Sequence, residues 1–206
     1  MIKYLVITLS ILFFGCNTQK KESSNSNVNL NDPIEVIKAR EQQAMQKNYS
    51  EIGELISTIE FKVKTNNLKD FEDGFIPWAV LENPEMDLSN LDKKDEIAID
   101  ESVIKIIIDY PLTNQYEFIL KSDRGFTRGQ LLTEISNHYY LLYKEEEESA
   151  TIKTIPVDKR TTMYNRNETN GKYGIWGHDI SDLVLLGISV YKAKNREIIL
   201  TLNVES

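Results

Sequence analysis

The stretch GFTRGQLLTEISNHYYLLYKEEEE, Gly125–Glu148, decides the fold. Thr127 and Gln130 have the spacing of a capping box, and Phe126 before the cap with Leu131 at the fourth helical position forms a hydrophobic staple. At 100° per residue, Leu131, Leu132, Ile135, Tyr139, Leu142 and Tyr143 fall within an arc of about 120°. That is one wide apolar stripe, and it predicts a long amphipathic helix lying on a sheet. His138 sits just outside the arc, while Tyr140 and Leu141 point elsewhere. Glu145 to Glu148 close the segment; four acids at a helix C-terminus oppose the dipole, so a solvated, fraying last turn is expected.

Upstream, EIAIDESVIKIIIDY (Glu96–Tyr110) carries the strongest strand signal in the chain, apolar enough to be central and covered on both faces. QYEFIL (Gln115–Leu120) follows a PLTN turn and is expected to pair with it as a hairpin. Further back, Ile59, Phe61 and Val63 alternate with charged residues at strand periodicity. FIPWAVL (Phe75–Leu81) is interrupted by Pro77 and reads as an edge strand or a bulge. Glu82–Glu96 is a polar loop whose length suggests function or motion. The first folded element is a helix from Pro33 to about Asn48, with Asp32 as its cap, proline at its first position and Glu35 in its first turn.

Downstream, TMYNRNETNGKYGIW has an Asn170-Gly171 turn signal between two short strand-like pieces. LVLLGISVYK and REIILTLNVE, joined by AKN, read as a terminal hairpin. The order helix, strands, helix, strands with hairpin-length links predicts an α+β fold. Its sheet is mostly antiparallel, with one long amphipathic helix packed on it and an N-terminal helix. Residues 32–206 are read as a single α+β domain.

The N-terminus carries a different message. MIKYLVITLSILFFGC has one cation at Lys3, an apolar run from Tyr4 to Phe14, then Gly15 and Cys16, the layout of a secretory signal. The run is shorter than the roughly 20 apolar residues that span a bilayer. Its ending, FFGC, resembles the lipobox of bacterial lipoproteins, although Phe13 stands where leucine is usual. The resemblance implies removal of residues 1–15, lipidation of Cys16 and a cell-envelope location. No second cysteine exists to pair with Cys16. Residues 16–31 form a flexible tether by composition, rich in Asn, Ser and Lys. Asn17, rather than aspartate, after the cysteine favours the outer membrane, again by that resemblance.

The chain carries a formal net charge of −8. This argues against nucleic acid, which is bound by clustered Lys and Arg, and against electrostatic docking on anionic lipid. Nucleophile-elbow, phosphate-loop and zinc-binding patterns are all missing from the sequence.

GKYGIWGHDISDL (Gly171–Leu183) gathers the remaining chemistry. His178, Asp179 and Asp182, with His138 reaching over from the helix edge, are candidates for a metal or general-acid site. A His-Asp pair is similar to the HD phosphohydrolases, but those need more histidines than the two present here. The alternative is a structural corner: Gly177 reverses the chain, Asp179 caps a short turn containing Asp182, and Trp176 anchors in the core. Trp176, Tyr140 and Tyr173 are candidate surface contacts from an aromatic set that also includes Tyr139, Tyr143 and Tyr164. The expected function is a lipid-anchored envelope module without cofactor or metal, binding a protein or glycan. An envelope hydrolase using His178, Asp179 and Asp182, possibly metal-assisted, is one alternative; an immunity or inhibitor-type lipoprotein is another.

Overall fold

A computed structural model describes residues 32–161 and 166–206. Cys16, the tether and Tyr164 lie outside the described residues. Helix α1 (Pro33–Met45) starts as its sequence requires, with the Asp32 carboxylate accepting the Ile34 N–H at 3.0 Å. β1 (Glu54–Glu60) and β2 (Val63–Lys64) follow, and Ile59, Phe61 and Val63 are the buried members of the alternation. Pro77 divides its segment into β3 (Phe75–Ile76), which pairs with β2, and β4 (Ala79–Val80), which joins the main sheet beside a later strand.

The polar stretch after β4 is more ordered than its composition suggests. It contains a one-turn helix, α2 (Glu85–Leu88), whose Asp87 carboxylate accepts the Val80 N–H at 2.8 Å. Arg128 then binds the carbonyls of Glu60 and Lys93, tying both segments to the start of the long helix.

EIAIDESVIKIIIDY is two strands, β5 (Ile97–Ile99) and β6 (Val103–Ile108). β6 pairs with β7 (Tyr116–Lys121) in the expected hairpin, Ile106 opposite Phe118. β5 instead pairs with β8 (Phe126–Thr127), the doorstep of helix α3 (Arg128–Ser149). The Thr127 hydroxyl accepts the Gln130 N–H at 3.2 Å and the Gln130 side chain accepts the Thr127 N–H at 2.9 Å. Two strands close the chain, β9 (Val184–Lys192) and β10 (Ile198–Glu205), as a hairpin.

The main sheet runs β1-β9-β10-β6-β7, with β4 also on β9. Its pairs are antiparallel except β10 with β6, which is parallel and joins the C-terminal hairpin to the β6-β7 hairpin. The core lies on one face. Ile104, Ile106 and Ile108 from β6, with Leu185, Ile188, Val190, Ile198 and Leu200, meet Leu131, Leu132, Ile135, Tyr139 and Leu142 of α3. The expected burial of β6 on both faces is corrected: Val103 is exposed and Lys105 is ion-paired with Glu117 on the outer face. The strand is apolar because its outer side is only half open, with Ile107 and Ile199 also buried there.

The expected fraying of α3 is corrected as well. The helix runs to Ser149 because Glu146 is turned inward and fully buried. Nor does TMYNRNETNGKYGIW form strands among its described residues. It makes the isolated bridges Arg166 to Gly177 and Ile175 to Leu112, and is held from the side by α3. Among the described residues no helix is long and apolar enough to cross a membrane.

Candidate functional site

The loop that carries His178 is built around a carboxylate. Glu146 accepts backbone N–H groups from Gly171 at 2.8 Å, Tyr173 at 2.7 Å and Gly174 at 3.1 Å. Burial alone would raise this carboxyl, but the Thr169 hydroxyl and the three N–H groups outweigh it and hold the group below its ordinary range. Glycine is needed at 171 for proximity: a Cβ there would stand 2.6 Å from the Glu146 backbone oxygen. Gly174 and Gly177 are needed for conformation, with φ of 64° and 70°. Glu145 adds the Tyr173 hydroxyl and the Lys172 ammonium.

From this platform Trp176 enters the core, 5% exposed, edge-on to Tyr110 at 5.4 Å. His178 follows and stacks on Tyr110 at 5.7 Å. Its backbone carbonyl accepts the Tyr143 hydroxyl at 2.8 Å, and the buried Arg166 guanidinium lies over the Tyr143 ring at 4.9 Å. His178 is thus placed from three directions. Its Nε2 lies 2.6 Å from Glu41 Oε1 of α1, and both Glu41 oxygens accept the Tyr110 hydroxyl at 2.9 Å. Ser206 Oγ lies 2.9 Å from the Tyr110 oxygen and 3.3 Å from His178 Nε2. Burial raises the Tyr110 phenol well above its ordinary value; the Ser206 contact opposes this and the Glu41 charge adds to it.

This cluster closes one end of a cleft of about 900 Å³ between α1 and the outer face of the sheet. Ile34, Ile37, Ala44 and Met45 of α1 form its apolar wall. Ser189 and Tyr191 of β9, with Thr201 and Asn203 of β10, form its floor. Asp109, the residue before Tyr110, also lines the cleft; it accepts the Tyr49 hydroxyl at 2.5 Å and pairs with Lys47 at 2.9 Å. Burial, then the Asp109 hydrogen bond, raises the Tyr49 phenol.

The sequence candidates do not converge. The Asp179 carboxylate is gripped at both oxygens by Arg160, at 2.5 and 3.1 Å. Asp182 reaches back to the Asp179 N–H at 2.8 Å, closing a 3₁₀ turn over Ile180–Asp182. Both aspartates are engaged in these local bonds, and His178 alone of the three lines the cleft. Ser206 and Glu41 both approach His178 at Nε2. A serine-histidine-acid relay needs them on opposite ring nitrogens.

His138 belongs elsewhere, with Nδ1 2.7 Å from the Tyr116 hydroxyl and its ring stacked on Phe118 at 3.5 Å. Burial lowers its pKa, with Glu134 opposing. A histidine whose folded pKa lies below the unfolded one binds fewer protons when folded. Its contribution is present above the unfolded value of about 6.5 and is lost as pH falls through that value toward the folded pKa. An NMR titration should place the His138 midpoint below 6.5 and raise it in Phe118→Ala, where the ring loses its cover; an unmoved midpoint would refute burial as the cause.

Of the three aromatic candidates for surface contact, Trp176 and Tyr173 are buried. Tyr140 is 48% exposed and donates its hydroxyl to the Glu82 carbonyl at 2.6 Å. Glu146 draws the loop that carries the first two into the core. Among the described residues no group of three or more histidines, cysteines and acids is placed to hold a metal ion.

Glu41 and Tyr110 were missed by sequence reasoning. Glu41 had a signal: Ile34, Ile37, Glu41 and Ala44 step at three, four and three residues, which sets a carboxylate on the inward face of α1. Comparison of this chain with protein-family models, curated proteins and solved structures gives no match.

Proposed function

We propose that this protein is a non-catalytic binding module of the cell envelope, anchored through lipid on Cys16 and taking its ligand between α1 and the sheet. The cleft is the observation that supports this reading. About 900 Å³ falls within the 300 to 1,000 Å³ typical of small-molecule sites, and an apolar wall facing a polar floor is their usual construction. Glu41 is engaged with His178 and Asp109 with Lys47, which suits holding a ligand better than attacking one.

Anchoring rests on Lys3, the short apolar run and the Gly15-Cys16 pair, with residues 16–31 as a tether. Two or more acyl chains on one cysteine give stable membrane attachment, whereas one binds marginally. Asn17 favours the outer membrane. Presentation at a surface raises the effective concentration of the module near envelope partners. Cys16→Ala should move the protein almost wholly from the membrane pellet to the soluble fraction on centrifugation. Continued sedimentation with membranes would refute the anchor.

A further inference from the structure

We propose that the cleft between α1 and the sheet is a site for an uncharged oligosaccharide. This deepens the binding reading above and rests on it.

Glu41 is taken by His178 and Tyr110, and Asp109 by Lys47 and Tyr49. Lys38 and Glu205, the other charges lining the cleft, are exposed to solvent. An ionic ligand would find no spare counter-charge inside and would have to break one of these pairs. The floor is different. The side chains of Ser189, Tyr191, Thr201 and Asn203 make no hydrogen bond to any described residue, although Thr201 is only 3% exposed. Thr201 is buried as a residue, Ser189 and Tyr191 are half-buried and Asn203 is exposed, so these uncommitted groups are open to a molecule that enters the cleft.

The geometry of these four groups narrows the class. Thr201 faces Ser189 across the β9-β10 pair, with Asn203 and Tyr191 two residues along each strand on the same face. Such neighbours stand about 5 Å apart across the strands and about 7 Å apart along them. Asn203 lies to one side of the Thr201-Ser189 pair and Tyr191 to the other, so the floor is a staggered grid of four neutral groups, each able both to donate and to accept. A fatty acid or other single-headed amphiphile would satisfy one point of this grid and leave the rest dry. A molecule with hydroxyls on several carbons satisfies it at several points at once. Saccharide rings also present apolar C–H faces, which the aliphatic wall of α1 and the Tyr49-Tyr191 pair, with centroids 6.3 Å apart, would cover.

The test uses the full chain in a detergent without a sugar head group, titrated calorimetrically with maltotetraose, cellotetraose, chitotetraose and xylotetraose, and separately with decanoate. Binding of at least one tetrasaccharide, weakened about tenfold or more by Thr201→Val with unchanged melting, is expected; tenfold is the scale of one lost hydrogen bond. Saccharide binding unaffected by both Thr201→Val and Asn203→Ala would overturn the site. Decanoate binding alone, abolished by filling the cleft with Ala44→Trp, would overturn the saccharide while leaving the binding reading intact. Absence of binding by every probe would overturn both.

Discussion

Glu146→Ala is expected to cost on the order of 3 to 5 kcal/mol, because it strips three backbone N–H groups, two of them buried and one partly so, of their acceptor at once. Each orphaned buried donor costs about 1 to 3 kcal/mol, and water entering the space left by the side chain offsets part of the total. For a domain of this size that corresponds to a fall in Tm of roughly 10 °C. Glu146→Gln should fall between the variant and the wild type: one oxygen still accepts, but the amide NH₂ is turned on a donor. The native carboxyl is held below its ordinary value, so its contribution is present above the unfolded value of about 4.5 and disappears as pH falls through the folded pKa. Melting curves recorded down the acid limb should therefore converge for wild type and Glu146→Ala. Parallel curves across that range would show that the carboxylate's charge is not what holds the loop. Gly171→Ala should reproduce much of the damage from the other side, since its Cβ would press on the Glu146 carbonyl and carboxylate.

That carboxylate marks where the sequence was readable and where it was not. The N-terminal end of α3 was legible to the residue, because capping box and staple are local contacts between residues three to five apart. Its C-terminal end was not: a run of four glutamates reads as solvated. The signal lay in phase, since Ile135, Tyr139, Leu142 and Glu146 continue one stripe at steps of four, three and four. What Glu146 binds is backbone, and backbone donors leave no mark in a sequence beyond the glycines that make room for them. The main-sheet hairpins were legible for the same local reason as the caps. The parallel pairing of β10 with β6 joins residues 94 apart, and no pattern within either strand specifies it.

The candidate site followed the same division. His178 lines the cleft, and its partners there are not its neighbours in sequence. Asp179 and Asp182 are its neighbours in sequence and are consumed by Arg160 and by their own turn. Glu41, its partner in space, is 137 positions away. Local capping chemistry and site chemistry use the same residue types, and only tertiary contact separates them.

Tyr139 links the core to the cleft, and two substitutions there should separate its two roles. The side chain is fully buried under the sheet, and its hydroxyl donates to the Tyr110 carbonyl at 2.9 Å. Tyr139→Ala removes a large aromatic body from the core of α3. By comparison with other buried aromatics it should cost about 3 to 5 kcal/mol, most of it cavity and lost contact. Tyr139→Phe keeps the body and deletes one hydrogen bond, and should cost only about 1 to 1.5 kcal/mol in melting. The smaller change nevertheless reaches the site. Tyr110 holds Glu41 with its own hydroxyl, and Glu41 is the group through which α1 grips His178. Freeing the Tyr110 carbonyl lets that ring shift, and with it the clasp on α1. Hydrogen exchange of the α1 amides should therefore quicken in Tyr139→Phe by more than the global loss of stability accounts for, because α1 opens locally. Exchange in α1 that merely tracked the change in melting would show that α1 is held by its apolar wall and not by the Tyr110-Glu41-His178 clasp.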